Sequence, residues 1–539
     1  MPTGKAFLRR AMGVLLLTLV GEHAAWAQGL DVQDRLPAQQ ARGHALPLQA
    51  GDYVRGILQG RGMRLVLLDA SGQRQRVLAR GVHEEQGFMF AAERGGAYTL
   101  QVRAAQAGSY RLQVDAPIPA QAAVPQAQAP APESPRLRAW MTGPQPEHSA
   151  PFWQAVQAEG APLVECEGLQ PALAAGECLV TFVWRGAQRN VRLMGGPSND
   201  HDALQRLGQT DIWYRSYRVP TSTRLSYQLA PDVPELPTLS PTERRRAILA
   251  TAQRDPLNPR SFPAQPLDRF NAASLLELPQ APASPWLAVR PGVPRGALQV
   301  HRLASQHLGN ERDIHLYRSA GYRSDDPQRT LLVLFDADRY LYEVPVPTLL
   351  DNLVADGKLA PVAAVFIANP SGRTRSAELP PNPAMAAFVA QELMPWAARQ
   401  GLSAAPQRTV IAGASYGGLA AAWVALQHPE WFGRVLSQSG SFWWAPATAG
   451  EEPEWLTRQV AQQPERPLRM LLEAGLFESG RAGQAGILET NRHLRDVLRA
   501  KGYSVLHREH AAGHDNAHWR VRFAPALLDL LQDEVGQKP

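Results

Sequence analysis

The chain has 539 residues and carries 55 Lys and Arg against 49 Asp and Glu, a formal charge of +6. This small basic surplus is not gathered into tracts, which argues against a nucleic-acid-binding protein but is compatible with an anionic small ligand. The length predicts roughly two to four domains.

The first 27 residues have the pattern of an export signal. Three basic residues (Lys5, Arg9 and Arg10) precede a short apolar run, and Ala25-Trp26-Ala27 resembles a signal-peptidase site. That run is too short to cross a bilayer, and no later segment is apolar for long enough. The sequence therefore predicts an exported, periplasmic protein that does not span the membrane.

Cys166 and Cys178 are the two cysteines of the chain. In an oxidising compartment they can close one local loop, whereas two thiols without a nearby histidine make a poor metal site. We therefore expect a disulfide between them.

Two regions before residue 297 have the alternating pattern of β-sandwiches. Residues 28–115 contain strand–turn–strand patterns and a repeated Gly-x-Tyr-x-Leu-x-Val, which predict a small accessory sandwich with a structural or docking role. Residues 116–140 are rich in Pro, Ala and Gln and are expected to form an extended linker. A second sandwich and an irregular, proline-rich connector with one short helix are predicted for residues 141–296.

Residues 297–539 follow a different pattern. Short continuous apolar runs, such as "LLVLF" and "VAAVFI", alternate with amphipathic helical stretches. This alternation is typical of a parallel sheet covered on both faces by helices. The predicted fold class is therefore α/β, with one α/β catalytic domain preceded by two small β-sandwiches.

The stretch "VIAGASYGGLAAAW" contains a candidate nucleophile. It reads as a buried strand, the motif Gly-x-Ser-x-Gly and a helix, which is the nucleophile elbow of α/β-hydrolases. Ser415 would then lie at the N-terminus of the helix, where the backbone N–H of Tyr416 favours a developing oxyanion. A glycine-rich turn without chemistry is the alternative.

The partners of such a serine follow it in the order acid, then histidine. Glu478 stands just beyond the next buried strand, and His514 lies in a loop before the last helix, so they are the candidate acid and base. Glu473 is a competing acid, but it lies within the strand and is expected to be structural. The histidine run that includes His507, His510 and His518 lacks a complete metal-ligand pattern, so no metal site is expected.

A second oxyanion donor is expected from the loop after an earlier strand, "LLVLFDAD". The backbone N–H of Asp338 is the candidate, although its carboxylate would be an unfavourable neighbour for an anion.

Several strings in the second half of the chain resemble the enterochelin (enterobactin) esterase family. They are "GASYGGLAA", "HPEWFGRVLSQSGSFWW", "LLEAGLFES", "GHDNAHWR", "DADRYLYEVPVPTLL" and "FIANPSGRTRSAELPPN". The resemblance covers about residues 151–531 and leaves the first sandwich and the linker outside. Ala337 departs from the glycine that the family commonly has there, which bears on the conformation of the oxyanion loop. Some relatives use a serine–histidine pair alone, which bears on the role of Glu478.

The resemblance implies hydrolysis of the trilactone of ferric enterobactin, with iron present only as part of the substrate and no cofactor. A ferric tris-catecholate is anionic, so Arg375, which matches the family motif, and Arg373 are candidate contacts. Trp443 and Trp444 are candidates for stacking on catechol rings, although core packing is equally expected for one of them. By analogy the second sandwich would cover the site as a lid, with Trp213 reaching the substrate.

Two other functions remain open from the sequence. A feruloyl, acetyl-xylan or similar carbohydrate esterase would use the same serine machinery, with the accessory sandwich as a glycan-binding module. A siderophore-binding protein with a vestigial hydrolase site is the third reading, and the complete set of Ser415, His514 and Glu478 argues against it.

Overall fold

The computed structural model describes residues 29–120, 131–142, 149–198, 201–448, 450–480 and 483–532. The predicted export signal lies outside these residues. Within the described ranges, no helix combines the length and the apolar character that crossing a bilayer requires.

The first domain is the accessory sandwich. Its strands are β1 (Leu30–Leu36), β2 (Ala41–Leu48), β3 (Tyr53–Gln59), β4 (Met63–Leu68), β5 (Arg74–Ala79), β6 (Glu85–Ala91), β7 (Gly96–Ala104) and β8 (Gly108–Val114). They form two sheets with the orders β1-β8-β3-β6 and β2-β7-β4-β5, so the predicted sandwich is confirmed. The two strands that carry the repeated motif, β7 and β8, lie in opposite sheets. Alternation specifies the buried face of a strand and leaves its pairing partner undetermined.

The second domain, which we call the lid sandwich, has two further four-stranded sheets. Its segments are α1 (Pro135–Met141), α2 (Ala150–Glu159), β9 (Leu163–Glu165), β10 (Glu177–Arg185), β11 (Val191–Gly195), β12 (Gln205–Arg206), β13 (Ile212–Pro220), β14 (Arg224–Pro231), α3 (Pro241–Arg246), β15 (Ser261–Phe262) and β16 (Ala273–Glu277). The sheet orders are β12-β13-β10-β9 and β11-β14-β16-β15. The predicted disulfide between Cys166 and Cys178 is present, with the two Cα atoms 4.2 Å apart.

Two boundaries in this region differ from the prediction. The linker was predicted to reach residue 140, but α1 begins at Pro135 because Ser134 caps it and Leu137 is buried in the lid sandwich. The connector was predicted to be irregular apart from one helix, yet β16 lies between β14 and β15 in the sheet. Both segments are stabilised by packing against distant strands, which a local pattern does not show.

The third domain is the predicted α/β domain. It contains β17 (Ala297–Ser305), β18 (Asn310–Arg318), β19 (Thr330–Phe335), α4 (Val346–Ala355), β20 (Val362–Ile367), α5 (Gly372–Glu378), α6 (Pro383–Ala387), α7 (Met394–Arg399), β21 (Thr409–Ala414), α8 (Tyr416–Gln427), β22 (Arg434–Gln438), α9 (Trp455–Gln462), β23 (Arg469–Gly475), α10 (Ile487–Ala500), β24 (Ser504–His510) and α11 (Asn516–Leu531). The eight strands have the order β17-β18-β20-β19-β21-β22-β23-β24.

Six of these strands, from β20 to β24 in the sheet, are parallel, whereas β17 and β18 form an antiparallel hairpin at one edge. Strands β19, β20 and β21 are buried along their whole length, and a separate apolar cluster covers each face of the sheet. Continuous apolar runs therefore indicate strands with no exposed face, as predicted. The carboxyl ends of these strands define one edge, where the candidate catalytic residues lie.

The lid sandwich is joined directly to the loop that carries His514. The backbone N–H of Arg224 donates to the carbonyl oxygen of Ala511 at 3.1 Å, and the N–H of Ser226 donates to the Asp515 carboxylate at 3.3 Å. Strand β14 of the lid sandwich is therefore held beside the candidate base.

Candidate active site

Ser415 occupies the sharp turn between β21 and α8, as the elbow motif predicts. Its backbone has φ 59° and ψ −123°, a region that residues with a side chain rarely occupy. The surrounding glycines are required by close packing, since a Cβ atom on Gly413 would lie 2.3 Å from the backbone of Gly417. A Cβ atom on Gly418 would lie 2.5 Å from Ser437 Oγ. The motif therefore allows β21 and α8 to approach closely enough to form the elbow.

The N-terminus of α8 offers backbone donors beside Ser415. The first N–H groups of a helix, here starting at Tyr416, have no acceptor within the helix. This is the geometry expected of an oxyanion donor, and the assignment of Tyr416 remains a prediction.

The second predicted donor, Asp338, lies in the turn that follows β19. Asp336 opens this turn with φ 58°, and its carboxylate lies 3.2 Å from the position that a Cβ on Gly417 would take. The turn is thus packed against the elbow. The carboxylate of Asp338 faces the accessory sandwich, where Oδ2 lies 3.6 Å from His83 Nε2. The use of the Asp338 N–H remains a prediction.

The structure brings Glu478 and His514 together. Glu478 Oε1 lies 2.5 Å from His514 Nδ1, and the Glu478 side chain is 1% exposed while that of His514 is 38% exposed. The other carboxylate oxygen of Glu478 accepts hydrogen bonds from the Gly475 N–H at 2.6 Å and from Ser439 Oγ at 2.8 Å. Glu478 is thus fixed on both oxygens, and it orients the imidazole with Nε2 available for a proton.

Ser415 is connected to this pair by the loop that follows β22. Ser415 Oγ forms a hydrogen bond of 3.3 Å with Ser441 Oγ, and the Ser441 N–H donates to the carbonyl oxygen of Ser415. Ser439, on the same loop, bonds Glu478. Transfer of the Ser415 proton to His514 would need a hydrogen bond between their side chains, and catalytic hydrogen bonds in such sites often tighten only with substrate.

Glu473, the competing acid, is structural as predicted. It is buried, and its carboxylate contacts His510 Nε2 and Arg522 Nε at 3.2 Å each and accepts from Gln438 Nε2 at 3.0 Å. Burial alone would raise the pKa of Glu473, but the hydrogen bond and charge of His510 and the charge of Arg522 hold it at about 2.

The histidines of this region have different partners. His507 pairs with Glu509 at 2.9 Å, and His518 is buried beside the ring of His510. His507, His510 and His514 each contact a different glutamate.

The two candidate arginines have different surroundings. Arg375 forms two hydrogen bonds of 2.7 Å to the buried carboxylate of Asp336, which also accepts from Arg339. Burial would raise the pKa of Asp336, but the hydrogen bond from Arg375 and the charges of Arg339 and Arg375 outweigh it and lower that pKa. Arg373 is 75% exposed and pairs with Glu85 of the accessory sandwich at 3.3 Å. A role for either arginine in binding substrate remains a prediction.

The three candidate tryptophans differ in how far their side chains are exposed. Trp443 is 40% exposed, and its ring lies 6.0 Å from that of Tyr416. Trp444 packs against the apolar core and lies edge-on to Trp455. Trp213 is 2% exposed and donates from Nε1 to the Ala187 carbonyl inside the lid sandwich, so the structure does not place it where a substrate could touch it. The expectation for Trp213 failed because aromatic core residues and aromatic ligand contacts look alike in sequence.

His514, Glu478 and Trp443 line a cleft of about 1390 Å³ between the catalytic domain and the lid sandwich. The lid sandwich contributes to this cleft several residues that the sequence analysis did not identify: Gly196, Ser198, His201, Gln228 and Arg245. Ser439, Ser441 and Asp336 were likewise missed as organisers of the site. The strings "LSQSGSFWW" and "FDAD" contain them, but only their conformations reveal the contacts.

Comparisons with known proteins agree with this architecture. Residues 179–287 match the family model described as enterochelin esterase, N-terminal, and residues 305–530 match the model described as putative esterase. The chain is 34% identical over 433 residues to the iron(III) enterobactin esterase of Dickeya dadantii, a match that covers 74% of this chain and 96% of that protein.

Solved structures give the same result. The ferric enterobactin esterase of Salmonella typhimurium is 29% identical, with a TM-score of 0.56, and the match covers 71% of this chain and 98% of that one. The enterobactin esterase of Shigella flexneri, solved in the presence of enterobactin, is 29% identical with a TM-score of 0.55 and the same coverage. The chain belongs to the iron(III) enterobactin esterase family.

Proposed function

We propose that the protein is a serine esterase that hydrolyses the trilactone backbone of ferric enterobactin or a related catecholate siderophore. The observation that carries this proposal is the bond between Glu478 and His514 at the cleft, in a chain of this family. The loop of Ser439 and Ser441 connects this pair to the Ser415 elbow. Trp443 offers an exposed aromatic face for a catechol ring, and Arg245 brings positive charge to an anionic complex. Iron enters as part of the substrate, and no cofactor is required.

The pairing of Glu478 with His514 supports the following chemistry. Ser415 Oγ attacks the carbonyl carbon of one ester while His514 Nε2 takes its proton, and Glu478 stabilises the imidazolium. The negative oxygen of the tetrahedral intermediate is stabilised by the Tyr416 N–H at the start of α8. His514 then returns the proton to the departing serine hydroxyl of the lactone, which leaves an acyl group on Ser415. Water, deprotonated by His514, cleaves that acyl group and completes the hydrolysis.

The site of action would be the periplasm. The N-terminal pattern of residues 1–27 supports export, and the disulfide between Cys166 and Cys178 is a bond that persists in oxidising compartments. Expression of the full chain with its own N-terminus, followed by cell fractionation, checks this location.

The deciding experiment is mass analysis of products after the mature protein is incubated with ferric enterobactin. We expect linear trimer, dimer or monomer with the native protein and none with Ser415→Ala, which should still bind the complex. Ser71→Ala, in an exposed turn of the accessory sandwich, is the matched control and should cleave normally. An intact trilactone together with cleavage of a simple aryl ester would show that the hydrolase acts on another ester class, such as a carbohydrate ester.

A further inference from the structure

The accessory sandwich touches the catalytic domain next to the active site. Strand β6 is an edge strand of its sheet, and Glu85 at its start forms a parallel β-bridge with Ser371 of the catalytic domain. This bridge covers the start of the exposed edge. The loop before β6 together with Glu85, residues 80–85, is called the accessory loop below. Both matched family models begin after this sandwich.

His83 is the central contact of the accessory loop. Its Nδ1 lies 3.1 Å from the carbonyl oxygen of Asn369, and because a carbonyl oxygen only accepts, Nδ1 must carry the proton. Its Nε2 lies 3.6 Å from the carboxylate of Asp338. One imidazole thus bridges two loops of the catalytic domain that follow neighbouring strands, β20 and β19.

From Asn369 the contacts lead to the nucleophile. The side chain of Asn369 donates to Asp336 Oδ1 at 2.6 Å, and the same carboxylate holds Arg375. Asp336 in turn packs against Gly417 in the first turn of α8, two residues from Ser415. His83 is therefore separated from the elbow by Asn369 and Asp336 alone.

The accessory loop also holds the segment that carries the two candidate arginines. Ser371, which forms the bridge with Glu85, is the N-cap of α5, and its Oγ accepts from the Thr374 N–H at 3.1 Å. Glu85 then pairs with Arg373 on the same helix at 3.3 Å. The start of α5, and with it the direction of Arg373 and Arg375, is set by a contact between domains.

Arg80 of the accessory loop further supplies positive charge to an acidic turn. Asp338 precedes the π-helical turn Arg339–Glu343 after β19 and Glu343 ends it, and Asn516 donates to Glu343 from the helix that follows His514. Burial raises the pKa of Glu343, and the positive charges of Arg339 and Arg80 oppose that rise. Arg80 thus brings positive charge, and His83 a side-chain contact, to carboxylates that would repel a tris-catecholate anion.

We propose that the accessory sandwich is a working part of the active site: through His83 it positions the Asn369–Arg375 segment and covers the carboxylate of Asp338, so that the anionic ferric siderophore is bound productively. His83 is a positioning residue, since it acts through Asn369 and Asp338. The inference rests on the proposed function for the identity of the anion, whereas the positioning contact stands independently of it.

The test uses the full-length protein with single substitutions. His83→Ala removes both contacts, His83→Asn retains a donor near Nδ1, and Asp338→Asn is combined with His83→Ala to remove the exposed carboxylate. His44→Ala is the matched control, because His44 bonds Tyr110 within the accessory sandwich. Two kinds of measurement are made on each variant. The first is amide hydrogen exchange of residues 369–379, and the second is steady-state kinetics (kcat and KM) with ferric enterobactin and with a neutral aryl ester.

We expect His83→Ala to increase exchange in residues 369–379 and to raise KM for the ferric complex about fivefold, as for the loss of one hydrogen bond of ~1 kcal/mol. The ratio of kcat/KM for the ferric complex to kcat/KM for the aryl ester should fall in His83→Ala. Replacing His83 by Asn instead, or adding Asp338→Asn to His83→Ala, should restore part of this ratio. The proposal would be overturned if His83→Ala had the same amide exchange in residues 369–379 and the same ratio of kcat/KM values as His44→Ala. Faster exchange with an unchanged ratio would also overturn it, because the contact would then be structural only.

Failure of the proposed function is distinguishable from this outcome. If the native protein leaves ferric enterobactin intact, the substrate assignment is wrong. The positioning contact is then decided by the exchange measurement, and its effect on the site by kcat/KM for the aryl ester in His83→Ala against His44→Ala. No difference between these two variants in either measurement would reject it.

Discussion

Trp443 and Trp444 are neighbours in the chain whose side chains have different surroundings. Trp443 is exposed at the cleft beside Tyr416, whereas Trp444 lies against the apolar core next to Trp455. An exposed aromatic ring can stack on a ligand, while a packed ring contributes mainly to stability. This adjacent pair therefore places one exposed ring and one packed ring within one motif, and substrate contact by Trp443 stays a prediction.

We predict opposite effects of alanine at the two positions. Trp443→Ala should raise KM for ferric enterobactin about tenfold, the loss of roughly one aromatic contact, with little change in the free energy of unfolding. Trp444→Ala should lower the free energy of unfolding by about 2 kcal/mol and leave KM for the folded fraction close to native. Denaturant titration and steady-state kinetics on both variants check this, and equal losses of binding would show that both rings contact the substrate.

At the level of elements, the strand–elbow–helix unit depends on the close approach of β21 and α8. The approach is closest where Gly413 faces Gly417, since any Cβ on Gly413 would overlap the helix backbone. The residues of β21 are buried throughout, so neither element can move aside without disturbing the sheet. The geometry of the nucleophile therefore depends on Gly413 having no Cβ atom.

Gly413→Ala should accordingly displace the elbow and lower the free energy of unfolding by about 2 kcal/mol or more, as overpacking of a core does. Gly372→Ala is the control, because a Cβ there meets no atom within 4 Å and the residue begins α5. The control should be neutral or slightly stabilising, since alanine favours a helix over glycine. Thermal unfolding and esterase activity of the two variants test the argument, and similar losses in both would contradict it.

In the whole molecule, both sandwich domains contact loops of the catalytic domain near the active site. The lid sandwich is bonded to the loop of His514, and the accessory sandwich is bonded to the loops beside Ser415. The two sandwiches are also joined to each other, since the guanidinium of Arg76 donates to the carbonyl oxygens of Ala250 and Leu249 at 2.9 and 3.1 Å. The loops around the active site are therefore held by contacts among three domains.

Acid stability of the whole molecule should depend on Glu473, which joins β22, β24 and α11 through Gln438, His510 and Arg522. Its pKa falls from 4.5 to about 2 on folding, so its contribution is complete above about pH 4.5 and is lost as the pH falls towards 2. Glu473→Gln should be less stable than the native protein at neutral pH, and the difference should shrink over that interval. Denaturant unfolding at a series of pH values measures it, and a difference independent of pH would contradict the assignment.

The sequence by itself determined the features that depend on local pattern. The elbow at Ser415, the order of Glu478 and His514, the fold class and the disulfide all follow from short motifs, apolar periodicity or cysteine count, and the structure agrees with them. Local patterns are sufficient here because a strand, a tight turn and a helix are each specified by neighbouring residues.

Only the tertiary structure decided which distant residues meet. It shows that Trp213 is buried in a core and that Arg375 is hydrogen-bonded to Asp336. It also shows that Arg245 lines the cleft and that His83 contacts Asn369 and Asp338. These contacts join residues that are far apart in the chain, and they depend on how the three domains pack together. Residue types alone do not specify such packing, because the same aromatic and charged side chains serve cores, interfaces and ligands alike.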